Sequence, residues 1–78
     1  MKELVITIAR ALVDEPDAIE VREIEDGAHS LVELRVAKSD IGKVIGKDGK
    51  TAQSIRMRLA AASQKAGRRV HLDIIDGN

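Results

Sequence analysis

The chain has 78 residues, a formal net charge of zero at pH 7, and no Cys, Phe, Tyr or Trp. At this length we expect one domain over residues 1–78, with a single core of aliphatic side chains. The composition excludes disulfides, thiolate metal sites and a Cys nucleophile, and it leaves no aromatic ring on which a nucleobase could stack.

The lengths of the apolar segments and the positions of the histidines argue against membrane, secreted and metal-binding proteins. No apolar run is long enough to span a membrane, and the first residues, MKELVITIAR, lack the features of a signal peptide. We therefore expect a cytoplasmic protein with no membrane partner. His29 and His71 are isolated, so we expect no metal site and no cofactor.

The first half of the chain predicts a helix followed by a β-hairpin. Apolar residues recur at helical spacing over residues 2–14, and Pro16 should end this helix. Alternating residues then predict strands over 18–25 and 30–37, joined at the turn-forming dipeptide Asp26-Gly27.

The second half predicts two helices and a final strand. Ser39 should cap a short helix that ends at the tetrapeptide GKDG, residues 46–49. A longer helix follows, and Gly67 stands where a helix C-cap favours glycine. Its predicted buried stripe is Ala52, Ile55, Leu59, Ala62 and Ala66. A strand over 68–75 precedes a short tail that should be frayed.

The predicted order is helix, strand, strand, helix, helix, strand. Each strand has one apolar face that needs cover, and three helices can supply it. The sequence therefore predicts a two-layer α+β domain, with a three-stranded sheet covered on one face by three helices.

Charge is distributed unevenly along the chain. Residues 1–37 hold four basic and nine acidic side chains, a net charge of −5, whereas residues 38–78 hold nine basic and four acidic ones, a net charge of +5. The GKDG segment lies in the basic half. This asymmetry favours an anionic partner for one face, although scatter in a small chain would also produce it.

GKDG suggests three interpretations. Gly49-Lys50-Thr51 looks like the end of a nucleotide-binding P-loop, but that motif needs Gly at position 44, where this chain has Val. A plain turn between helices, or a loop against which a sugar–phosphate backbone lies, both stay open. Nearby Lys43, Lys47 and Lys50, and the start of the next helix, favour the second.

At this point the residues resemble a known family. The segment IGKVIGKDGKTAQSIR, residues 41–56, is similar to the signature of KH RNA-binding domains, and the element order is that of the type II KH arrangement. A single KH domain that fills the chain is similar to the small bacterial KhpA-type proteins.

The resemblance implies a loop that clamps about four nucleotides of single-stranded RNA. It places Gly46, Lys47, Asp48 and Gly49 in the clamp and Ile41, Gly42, Val44 and Ile45 on the short helix beside it. From their charge and position, Lys43, Lys50 and Arg56 join the candidate RNA-binding residues. An apolar groove is expected between these helices and the strand that carries Val32, Leu34 and Val36. Asp48 should oppose phosphate.

The resemblance also implies partners and a role. It implies an RNA chaperone or post-transcriptional regulator that forms a homodimer, or a heterodimer with a Jag/KhpB-type KH protein. No nucleophile with a base and no carboxylate pair is evident, so we expect no catalytic residues, no enzymatic activity and no small-molecule substrate. The alternative is a protein–protein interaction or dimerisation module with little intrinsic RNA binding.

Overall fold

A computed structural model of the protein describes residues 1–75, so the predicted frayed tail, residues 76–78, lies outside the described residues. The helices and strands in chain order are α1 (Lys2–Leu12), β1 (Glu20–Asp26), β2 (His29–Arg35), α2 (Ile41–Ile45), α3 (Lys50–Lys65) and β3 (Arg69–Ile75). Short 3₁₀ turns occupy Pro16–Ala18, Lys38–Asp40 and Lys47–Gly49. This order confirms the predicted α+β fold class. None of the described helices is long and apolar enough to cross a membrane.

The described strands form one mixed sheet with β2 in the centre. β1 and β2 pair antiparallel, with Val21 opposite Leu34, and β2 and β3 pair parallel, with Leu34 opposite Ile74. A parallel pair needs a crossover connection, and α2 and α3 supply it. The two helices and the loop between them are therefore held above one face of the sheet.

The core lies between the helices and this face of the sheet. It is aliphatic throughout and consists of Val5, Ala9, Val32, Leu34, Val36, Val44, Ile55, Leu59 and Leu72. Burying a side chain as large as Leu34 or Leu59 contributes roughly 1.5–3 kcal/mol. The opposite face of the sheet stays open, and Ile24, Leu31 and His71 form one row across its three strands.

The first helix ends two residues earlier than the predicted limit of 14. Val13 is extended, with φ −93° and ψ 157°. The backbone N–H groups of Asp14 and Glu15 donate to the Asp40 carboxylate, at 3.2 Å and 3.1 Å, and make no further helical turn. The long-range contact with Asp40 therefore ends the helix before Pro16.

The prediction that Ser39 caps the short helix is wrong. α2 begins at Ile41 with Asp40 at its N-cap position, and no side chain caps it. Ser39 lies in the preceding 3₁₀ turn, and its hydroxyl donates to the Glu15 carboxylate at 3.2 Å. The long-range partner outcompetes the local one.

Two smaller boundaries also differ. Asp26 pairs with His29 as the last residue of β1, so the turn contains Gly27 and Ala28 rather than Asp26-Gly27. On α3 the predicted buried residue Ala66 is exposed, and the buried position near that end is Ser63. The helix already ends there: the N–H groups of Gly67 and Arg68 donate to the carbonyls of Gln64 and Ser63, the hydrogen-bond pattern of a Schellman cap.

Candidate nucleic-acid interface

The N-terminal end of α2 is tied to the end of α1 by one buried carboxylate. Asp40 has a side chain only 1% exposed, and besides the two backbone donors it accepts a hydrogen bond from Lys43 Nζ at 3.3 Å. Lys43 also forms an ion pair with Asp14. A buried carboxylate needs such partners, since an unpaired charge in the interior is strongly destabilising. We call Asp40, Lys43 and Asp14 the anchor.

The anchor shifts two pKa values in ways that stabilise its charges. Burial by itself raises the pKa of Asp40, but the backbone hydrogen bonds from Asp14 and Glu15 and the ammonium group of Lys43 outweigh it. The pKa therefore lies below its ordinary value of 3.8. The hydrogen bond to Asp14 raises the pKa of Lys43 above its ordinary value of 10.5. Both groups are therefore charged at neutral pH.

The C-terminal end of α2 opens into a loop whose backbone requires glycine. Gly46 has φ 77° and ψ 175°, a conformation found almost only in glycine. A Cβ at this position would lie 2.2 Å from Thr51 Oγ1 and 2.8 Å from the Thr51 backbone nitrogen. The backbone of Gly46 thus lies directly against the first turn of α3.

The last two residues of the loop have a left-handed backbone. Asp48 has φ 57° and ψ 26°, and Gly49 has φ 75° and ψ 11°. Asp is one of the few non-glycine residues that adopts this conformation readily, because its short polar side chain can hydrogen-bond locally. Backbone conformation therefore gives a physical reason for Asp at position 48, which electrostatics alone does not supply.

Three lysines surround the loop, and the structure separates their environments. Lys43 is occupied by the two carboxylates of the anchor. Lys47 and Lys50 are exposed, and neither forms an ion pair within residues 1–75. Gly49 stands at the N-cap of α3, and no side chain caps this helix. The positive end of the helix dipole and two free ammonium groups therefore lie together beside the loop.

The remaining candidates on α2 also differ. Val44 is completely buried in the core, so its side chain offers no surface to a ligand. Ile41 and Ile45 are partly buried. Gly42 lies inside the helix, and an added Cβ there would meet nothing within 4 Å. Glycine in a helix costs up to about 1 kcal/mol relative to Ala, and no packing among residues 1–75 explains Gly42.

The predicted groove wall is corrected by the sheet order. Val32, Leu34 and Val36 are buried beneath the helices, because their strand and its extension form the centre of the sheet. The strand at the sheet edge beside α3 is β3, which in the described chain pairs only with β2. Arg56 on α3 reaches this edge: its Nε donates to the Leu72 carbonyl at 3.4 Å.

Sequence reasoning missed the anchor. Asp40 carries no local signal of burial, since its neighbours Lys38 and Ser39 are polar and exposed. Its partners at positions 14 and 15 are distant in sequence. The signal that could have found it is the unexplained Asp directly before a short helix, four positions after the buried Val36.

The fold and the loop together define the class of domain. The α-β-β-α-α-β order, the mixed sheet with β2 and β3 parallel, and the glycine-bracketed loop between α2 and α3 are those of a type II KH domain. The family model described as "KhpA/KhpB, KH domain" matches residues 2–74. The chain belongs to this family.

Relatives of high identity extend over the full length. The RNA-binding protein KhpA of Halalkalibacterium halodurans is 57% identical over 77 residues, covering 97% of this chain and 100% of the relative. The RNA-binding protein KhpA of Caldanaerobacter subterraneus is 55% identical over 75 residues, covering 96% and 100%. That of Clostridium acetobutylicum is 47% identical over 75 residues, again covering 96% and 100%. No solved structure was found to match the chain.

Proposed function

We propose that this protein binds single-stranded RNA, without catalysis, and that its GKDG loop clamps about four nucleotides of the strand. The observation that carries the proposal is a loop bracketed by Gly46 and Gly49 whose two cations, Lys47 and Lys50, have no internal partner in the described chain. The names of the relatives agree with RNA as the ligand.

Phosphates would bind at the loop. Without side chains at positions 46 and 49, a sugar–phosphate backbone can approach the peptide groups closely. The uncapped start of α3 offers backbone N–H donors and a positive dipole end at the same place. Lys47 and Lys50 add charge-assisted contacts, whereas the charge of Lys43 is compensated by the two carboxylates of the anchor.

Bases would lie on the α2–α3 side, against the edge of the sheet. Ile41 and Ile45 supply apolar surface, and the missing side chain at Gly42 leaves room for a base or ribose. The free edge of β3 offers peptide groups that can hydrogen-bond a base, and Arg56 stands beside that edge. With no aromatic residue, this contact is van der Waals packing rather than stacking on rings.

Charge reversal at the loop tests the clamp. The double variant Lys47→Glu, Lys50→Glu should weaken binding to short single-stranded RNA about 100-fold at low salt. It should also reduce the slope of log affinity against log salt concentration by roughly 1.4, since each phosphate contact contributes about 0.7. Fluorescence anisotropy over a salt series measures both quantities, and thermal denaturation checks that the variant is folded.

The matched control reverses two lysines far from the loop. Lys2→Glu, Lys65→Glu changes the net charge equally, but Lys65 lies about 22 Å along α3 from Lys50. The control should keep most of the affinity. Equal losses in the two variants would mean that net charge, rather than the loop, governs binding, and the clamp would be ruled out.

A second candidate function is self-association through the open sheet face. Ile24 is 41% exposed there and aligned with Leu31 and His71 across the three strands. The same face carries two cross-strand pairs of opposite charge, Arg22 with Glu33 and Glu20 with Arg35, which a second copy could also contact. Sedimentation should show a dimer that Ile24→Glu dissociates; a wild-type monomer at high concentration would exclude this.

A further inference from the structure

A second groove lies on the other side of α3 from the sheet edge. It is an open depression of about 350 Å³ between α1 and α3. Ile8, Leu12 and Ile55 contribute apolar surface, and the hydroxyls of Thr7, Thr51 and Ser54 lie among them. This combination of apolar surface and a few polar groups is typical of small-ligand sites.

The groove is electrostatically suited to an anion. Its lining contains one charged side chain, Arg58, and no carboxylate. Arg58 is exposed and forms no ion pair within residues 1–75. Arg, Ser and Thr side chains are frequent ligands of phosphate and sugar oxygens. A guanidinium beside hydroxyls over an apolar surface therefore matches the phosphate, ribose and base of one nucleotide.

The groove is also continuous with the loop. Thr51 lines it, and the same side chain lies against the backbone of Gly46. Lys50, Ser54 and Arg58 follow one another at four-residue intervals, so they lie along one side of α3 that leads away from the loop. A strand leaving the clamp on this side would meet the groove next.

We propose that the α1–α3 groove binds the nucleotide adjacent to those in the clamp, with its base against Ile8, Leu12 and Ile55 and its phosphate on Arg58. The inference rests on the proposed function, because the clamp delivers the strand to the groove. It extends the RNA site from one side of α3 to the other. A strand longer than the clamped segment then gains a contact that a clamped tetranucleotide lacks.

The test compares variants on two RNA lengths. Fluorescein-labelled random-sequence RNAs of about four and about eight nucleotides are bound to the full chain, the shorter one matching the clamp. Ala11→Leu fills the groove from α1 without removing a charge, and Ala11 is exposed, so the fold should be retained. The measured quantity is the ratio of the variant's affinity to that of wild type at each RNA length. Because the longer RNA offers more binding positions to both proteins equally, this ratio removes the statistical advantage of length.

Both groove variants should affect only the longer RNA. Ala11→Leu should weaken its binding about fivefold, because the base loses apolar contact with the groove. Arg58→Ala should do the same and lower the salt slope on the longer RNA by about 0.7. The control Ala66→Leu, at the exposed C-terminal end of α3 and outside the groove, should change neither RNA.

Distinct results separate this inference from the clamp itself. If Lys47→Glu weakens both RNAs while Ala11→Leu and Arg58→Ala change neither, the groove proposal is overturned and the clamp stands. If Ala11→Leu alters sedimentation but not the RNA affinities, the groove is a protein interface, and the proposal is again overturned. If Lys47→Glu changes neither RNA, the clamp fails and the inference fails with it.

Discussion

The lysines on the two sides of the five-residue helix α2 are in opposite situations. In the middle of the helix, Lys43 is held by Asp14 and by Asp40, whose buried carboxylate lies at the N-terminal end. Beyond the C-terminal end, Lys47 in the glycine-bracketed loop and Lys50 after it have no ion-pair partner in residues 1–75. Tertiary contacts must hold so short a helix in place, because isolated helices of this length are unstable in water.

The difference indicates that neighbouring residues have separate structural and ligand-binding roles. The anchor fixes where α2 begins, and the glycine backbone then determines where the free charges project. Charge alone therefore does not identify a ligand contact: among residues 1–75, one of the three nearby lysines has its charge compensated by carboxylates and two do not. The predictions below test this separation, from the largest expected effect to the smallest.

Asp40→Asn should lower the melting temperature by about 10 °C, because an amide cannot match two backbone donors and an ammonium group at once. Differential scanning fluorimetry measures this, with the exposed Asp17→Asn as the control. RNA affinity at low temperature should stay within about threefold of wild type. A loss of affinity as large as that of the loop variant would contradict the separation of the two ends.

Acid should weaken the anchor selectively. The pKa of Asp40 is lower in the folded chain than its ordinary value of 3.8, so its stabilisation is complete above that value and is lost as the pH falls toward the folded pKa. The pKa of Lys43 is raised, so its contribution persists below 10.5 and is lost only at higher pH. Lowering the pH from 7 to about 3 should therefore bring the melting temperatures of wild type and Asp40→Asn closer together. Curves that stay parallel would exclude this role for Asp40.

Asp48→Asn should produce the smallest effect, and in the favourable direction. Asn adopts the left-handed conformation as readily as Asp, so the loop should keep its shape. Removing one negative charge near bound phosphates should raise RNA affinity about fivefold, since two charges about 4 Å apart in water interact by about 1 kcal/mol. Anisotropy titrations measure this, with the exposed Asp17→Asn as the control. Weaker binding would show that the carboxylate itself contributes to the contact.

The elements with strong periodicity were predictable. Val32, Leu34 and Val36 alternate, and Ile55 and Leu59 recur at helical spacing, so element type and order followed from the pattern. The glycine spacing in GKDG likewise predicted the loop. Errors occurred where a long-range contact replaced a local one: Asp40 ends α1 early, and Ser39 donates to Glu15 instead of capping α2.

By itself the sequence determined the α+β class, the element order and the position of a glycine-bracketed, lysine-rich loop, because these depend on local pattern and backbone conformation. Only the tertiary structure decided which strand is central, which lysine is neutralised and which side chains remain open. Those properties depend on contacts between distant positions, such as Asp40 with Asp14 and Arg56 with Leu72, and no local pattern encodes them.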